Sequence, residues 1–203
     1  LTLTTNNLEI AIQTKIPCTI LNPGTEIVDG RLFSELVRKL PFDNVVVQAQ
    51  DNRVTISAGT MDFSLNTIMT DEYPKYPTCQ EKVLTLTDYE LERLIKLSSF
   101  ATSNDDHQPI FSGVLMEIEE EKYQFVATDS NRLSYVQAQT GETLGGQKQF
   151  IIPKSSLVEL SRCLPSTETT VHVFSIDNQL AFHFDNTIFT TRLIDGKFHI
   201  YRS

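Results

Sequence analysis

The chain has 203 residues, 40% of them hydrophobic, with a formal net charge of −9 and a pI near 4.9. That length fits one large domain or two small ones with a proper core, and the acidic average excludes a surface that binds nucleic acid all over while leaving room for a local basic face. Its three cysteines, Cys18, Cys79 and Cys163, match no zinc-ligand spacing and suit reduced thiols, and no apolar run reaches the roughly 18 residues of a membrane span.

The N-terminus, Leu-Thr-Leu-Thr-Thr-Asn, has no signal-peptide pattern, and without an initiator methionine it reads as the middle of a longer chain. A helix is expected over Arg31–Leu40. Alternating segments follow it, broken by an Asp51-Asn52 turn. Asp71–Lys82, with two prolines and no apolar period, reads as a linker. Val83–Thr87 reads as a strand, and Thr87-Asp-Tyr-Glu as a capping box. The helix it opens runs to about Phe100, with Leu91, Leu94, Ile95 and Ser98 on one face. Strands are expected near 111–119, 122–128 and 132–138. The pattern then restarts: a strand at "QFIIP", a helix over Lys154–Leu164, and strands near 169–175, 179–184 and 187–194.

The chain also repeats on a longer scale. "LFSELVRKLP" (Leu32–Pro41) answers to "SLVELSRCLP" (Ser156–Pro165), and Asp51-Asn52 to Asp177-Asn178. Leu8 in "TTNNLEIAI" corresponds to Leu133 in "ATDSNRLSYV". A constant offset of this kind marks a tandem of similar domains. The expected fold is α+β: each domain uses the strand–helix–three-strand unit twice, with helices on one side of mostly antiparallel sheet. Residues 81–203 form a complete domain, and residues 1–80 one that lacks its N-terminal part.

Positive charge gathers on the expected helices. Arg31, Arg38 and Lys39 outnumber Glu35, Lys154 and Arg162 outnumber Glu159, and Arg93 and Lys96 follow an acidic first turn. Such faces are either ordinary solvated surface or weak phosphate-facing surface. Nothing in the chain assembles a nucleophile, base and orienter. Asp105-Asp106-His107 reads as a turn between helix and strand. Glu117–Glu121 reads as the solvated turn of a hairpin, and His107, His172, His183 and His199 show no metal-ligand spacing.

"VATDSNRLS", "FSGVLMEI", "LVELSRCLP" and "TRLIDGKFHIYR" resemble the second domain of the bacterial sliding clamps, the beta subunits of replicative DNA polymerase. "LTLTTNNLEIAI", "MDFSLNTI" and "DEYPKYP" resemble the latter part of the first domain. The resemblance covers essentially the whole chain. It implies the DNA-clamp fold, in which chains of three similar domains pair head-to-tail as a homodimeric ring around duplex DNA. The third domain would then be absent here. It further implies a cytoplasmic, nucleoid-associated processivity factor that is not an enzyme, has no metal or cofactor and does not touch the membrane. Its partners would be double-stranded DNA, held without sequence readout, and polymerase subunits and the clamp loader, bound through short linear motifs.

By the same resemblance, a peptide-binding pocket falls on Phe111 and Gly113 from one strand and on Thr128, Ser130, Asn131, Arg132 and Leu133. The DNA-facing residues would be Arg31, Arg38, Lys39, Arg93, Lys96, Lys154 and Arg162. The dimer interface would use Leu36, Phe63 and Leu65. Ser130-Asn131 replaces a common Gly-His, Phe111 a usual leucine, and "FHIYR" a common Phe-Pro-Asp-Tyr-Arg. The rest of the family's pocket lies beyond Ser203, so these residues alone are expected to bind partner peptides weakly. The alternative function is a clamp-like module that recruits partners without encircling DNA.

Overall fold

The computed structural model describes residues 1–41, 44–69, 73–74, 81–105, 107–141 and 145–198, and the elements below are those among them. In chain order they are β1 (Thr2–Asn6), β2 (Ile10–Lys15), α1 (Gly30–Val37), β3 (Val46–Gln50), β4 (Arg53–Ala58), β5 (Met61–Asn66), β6 (Glu81–Thr87) and α2 (Asp88–Ser98). There follow β7 (Gly113–Ile118), β8 (Lys122–Thr128), β9 (Leu133–Gln139), β10 (Lys148–Pro153), α3 (Lys154–Cys163), β11 (Thr170–Ile176), β12 (Gln179–Phe184) and β13 (Thr187–Arg192).

Local chemistry sets the helix starts. Asp29 Oδ1 accepts from Leu32 N at 2.8 Å to open α1, and Thr87 Oγ1 accepts from Glu90 N at 3.2 Å to open α2. Glu90, the far member of the expected capping box, lies beside the phenol of the buried Tyr123 on β8. Helix α1 ends at Val37, so Arg38 and Lys39 follow the helix rather than lying within it. Glu81 and Lys82 open β6 instead of closing the linker. Most of that linker, with Cys79, lies outside the described residues, as do Asp106 and residues 199–203.

The chain falls into two compact units, residues 1 and 17–75, and residues 2–16 with 76–203. In the first, β3-β4-β5 form an antiparallel sheet in that order. Only one face of β4 is buried, through Val54, Ile56 and Ala58. No residue of α1 is buried, and β3 is exposed along its length. Asp51 and Asn52 take φ of 50° and 60°, the left-handed pair that a two-residue hairpin demands.

In the second unit, a six-stranded antiparallel sheet runs β1-β2-β13-β12-β11-β6 and a four-stranded one runs β10-β7-β8-β9. Each sheet mixes strands from both strand–helix–three-strand units: β6 joins β11–β13, and β10 joins β7–β9. The sheets share one core with the helices. Leu86, Val173 and Phe182 enter it from the larger sheet, Met116, Phe125 and Ile152 from the smaller, and Leu94 and Leu160 from α2 and α3. Strand β2 pairs with β13, with Ile12 opposite Phe189, and Ile10 and Ile12 pack against that core. The hairpin at the start of the chain is thereby built into the sheet of the second repeat.

Glu117 departs from expectation. It is not part of a solvated turn: it lies on β7 with 0% exposure. Its carboxylate accepts from Gln124 Nε2, from Gln147 Nε2 at 3.0 Å and from Gln149 Nε2 at 2.9 Å. A buried charge persists only when hydrogen-bonded in this way.

Candidate functional site

The polar cluster after β8 is a tied turn. Buried Thr128 donates through Oγ1 to Arg132 O at 2.7 Å and accepts from Ser130 N at 3.1 Å. The Asp129 carboxylate accepts from Asn131 N, Arg132 N and Arg132 Nε, each at 3.0 Å. These bonds, the Asn131 amide foremost, hold its carboxyl below the usual range. Ser130 sits at φ 71°, in the left-handed region that favours glycine. The Arg132 guanidinium lies 5.6 Å above the ring of Phe100, itself 54% exposed. Arg132 is thus oriented from two sides, by a carboxylate and by an aromatic face.

Strand pairing carries this turn to one face of the smaller sheet. Leu115 opposes Val126, and Thr128 opposes Leu133. Because side chains alternate along a strand, Gly113, Thr128 and Leu133 share the side of Leu115 and Val126, away from the main core. A second apolar cluster forms there from Leu115, Val126, Ile151 and Phe198, with Ile110, Phe111 and Ile194 against it. Leu133 remains 52% exposed at its edge.

Phe111 is not on a strand. It sits in a 3-10 turn over Pro109–Ser112, because its carbonyl is taken by Ser103 N at 2.7 Å before β7 begins. Its ring meets Phe198 edge-on, with centroids 5.7 Å apart. Gly113 leaves no room for a side chain: a Cβ would lie 2.8 Å from Ile151 Cγ2, 2.8 Å from Ile194 Cδ1 and 2.9 Å from Ile152 O. Phe111, Gly113, Thr128 and Leu133 therefore share one face at one end of the sheet, while Ser130 and Asn131 are exposed in the turn. Sequence reading missed Asp129 and Phe100. Asp129, three residues before Arg132, carries a turn signal; Phe100 carries none.

The helix faces differ in how their charges are compensated. Helices α2 and α3 pack against each other, with Arg93 and Lys96 exposed on one, and Lys154 and Arg162 at the start and end of the other. Arg162 pairs with Glu159 at 2.6 Å, and Arg31 on α1 with Glu35 at 3.1 Å. Arg38, Lys39, Arg93, Lys96 and Lys154 form no ion pair with a described residue. In the first unit, Leu36 is half-buried on α1, while Phe63 and Leu65 lie on the edge strand β5, opposite Ile56 and Val54. Asp105 Oδ1 accepts from His107 N at 2.9 Å, the bond of a turn. Among the described residues no three His, Cys, Asp or Glu side chains gather to hold a metal, and no helix is long and apolar enough to cross a membrane.

Comparison with known proteins gives two adjacent matches. Residues 1–77 match the family model for the DNA polymerase III beta subunit, N-terminal domain, and residues 85–199 that for its central domain. The beta sliding clamp of Bacillus subtilis is 32% identical over 205 residues, which is 96% of this chain and 54% of that protein. That of Halalkalibacterium halodurans is 33% identical over 212 residues, 98% of this chain and 56% of that one. The crystal structure of the Bacillus subtilis DNA polymerase sliding clamp superposes with a TM-score of 0.92 at 31% identity, covering 98% of this chain and 55% of its own. The chain spans about half the length of the relatives it matches.

Proposed function

The chain belongs to the DNA polymerase III beta-subunit family, and on that premise we propose that it is part of a replicative sliding clamp, a processivity factor that is not an enzyme. Residues 1–80 are then the latter part of the first clamp domain, and residues 81–203 the second. The carrying observation is the pairing of β2 with β13. By the internal repeat, β9 corresponds to β2 and β5 to β13, and both are sheet edges. The same pairing is therefore on offer at both ends: β9 to a following domain, and β5, with Leu36, Phe63 and Leu65, to a partner chain. Heterologous contacts of this kind close into rings when the rotation allows.

A ring that slides must enclose DNA without gripping it. Arg31, Arg38, Lys39, Arg93, Lys96, Lys154 and Arg162 supply modest positive charge on and beside helices, and phosphate contacts carry no sequence information. The net charge of −9 repels DNA elsewhere. The face bearing Phe111, Gly113, Thr128 and Leu133, rimmed by Ser130, Asn131 and Arg132, suits an extended peptide with an apolar anchor, such as the linear motifs of polymerase subunits and the clamp loader. Such a protein works in the cytoplasm, at the nucleoid.

The test uses the full-length parent protein, loaded onto nicked circular DNA by its clamp loader. Retention through gel filtration on circles, with loss on linearised DNA, is the expected result. Equal retention on both would mean direct gripping. No retention on either, with an active loader, would leave a partner-recruiting module that does not encircle DNA.

A further inference from the structure

The side of the six-stranded sheet away from the core carries a pair of imidazoles that the proposed function does not use. His172 on β11 lies directly opposite His183 on β12. Opposed residues on antiparallel strands have Cβ atoms about 4.5–5.5 Å apart, close enough for two imidazoles to reach one ion. Alternation turns both rings outward: Val171, Val173, Phe182 and Phe184 beside them are buried in the core, whereas His172 is exposed and His183 half-buried. His172 Nδ1 lies 3.3 Å from Thr85 Oγ1 on β6. Metal-bound histidines characteristically engage their second ring nitrogen with an oxygen in this way, which leaves Nε2 of His172 for coordination. The His183 ring is held against Phe174 with centroids 4.5 Å apart.

We propose that His172 and His183 form a two-imidazole site for a borderline divalent transition metal such as Ni²⁺, Cu²⁺ or Zn²⁺, with water completing the coordination. Imidazole nitrogen suits these ions, and hard cations such as Mg²⁺ or Ca²⁺ require oxygen ligands. No third His, Cys, Asp or Glu joins the pair among the described residues. The net charge of −9 raises the local concentration of cations. Coordination would staple β11 to β12 in the middle of the sheet.

The test is calorimetric titration of the chain with Ni²⁺ alone at pH 7.5. A saturable site is expected, weakened about tenfold or more in His172→Ala and in His183→Ala, as loss of half the ligand set demands, and unchanged in His107→Ala. On the unsubstituted chain, substoichiometric Cu²⁺ should broaden the ring proton resonances of His172 and His183 before those of His107, a readout that depends on no variant folding. Absence of saturable binding, an affinity within twofold of the parent in either His172→Ala or His183→Ala, or broadening of His107 first would overturn the site.

Discussion

Glu117→Gln changes a charge and almost nothing else. Glu117 Oε1 accepts from Gln147 and Gln149, and Oε2 from Gln124. A glutamine at 117 keeps its oxygen toward the first two donors and turns its own NH₂ toward the third. Gln124, 1% exposed, answers by turning its amide over: its oxygen leaves Tyr135 Oη, now 2.6 Å away, to accept from the new NH₂, and the hydroxyl accepts from Gln124 while donating to Gln137 Oε1 at 2.9 Å. The network stays paired but loses its charged acceptor, a loss of about 1 kcal/mol. Gln147 and Gln149 belong to exposed residues and turn to water at little cost. Glu117→Gln is therefore expected to lower the unfolding free energy by about 1 kcal/mol, measured by urea unfolding at pH 7 with an unchanged m-value. Adding Gln124→Glu restores a charged acceptor opposite the new NH₂ and the Tyr135 hydroxyl, and should recover most of that loss. A cost below about 0.5 kcal/mol in the single variant, the range of an ordinary surface change, would refute the claim that this charge closes the network.

Three other outcomes follow from the geometry. Gly113→Ala drives a Cβ against backbone as well as side chains. It should cost about 1–3 kcal/mol by overpacking, read as a lower Tm, and an unchanged Tm would contradict the close approach. Ser130→Gly removes left-handed strain of about 1–2 kcal/mol against about 0.4–1 kcal/mol of unfolded-state entropy, so urea unfolding should show a small net gain in stability. Tyr123→Phe deletes a buried hydroxyl beside Glu90 and should cost about 1 kcal/mol. Burial, and then Glu90, hold the Tyr123 phenol above its ordinary range. Its stabilisation is full below the unfolded value near pH 10 and is lost as pH rises beyond it. Thermal unfolding at pH 9 and pH 11 should accordingly show a smaller alkaline loss in Tyr123→Phe than in the parent.

What the sequence determined by itself is what depends on near neighbours. Leu91, Leu94, Ile95 and Ser98 share one helix face by spacing alone, and all four are buried. The two Glu-Leu-x-Arg-x-Leu-Pro segments both begin in a helix, which ends at Val37 in the first and at Cys163 in the second, and Asp51, Asn52 and Asp177 take positive φ at their turns, because those choices are made within a few residues. The repeat and its family were legible for the same reason. Tertiary structure alone decided that β7 is buried on both faces. One side meets the main core, and the other meets Ile110, Phe111, Ile194 and Phe198, which arrive from outside the strand. A strand's own alternation cannot report what distant chain will cover its second face, so Glu117 read as solvated. The stacking of Arg132 on Phe100 and the pairing of β2 with β13 join residues remote in sequence. Local spacing has no information about such meetings, because they are settled only when the core closes.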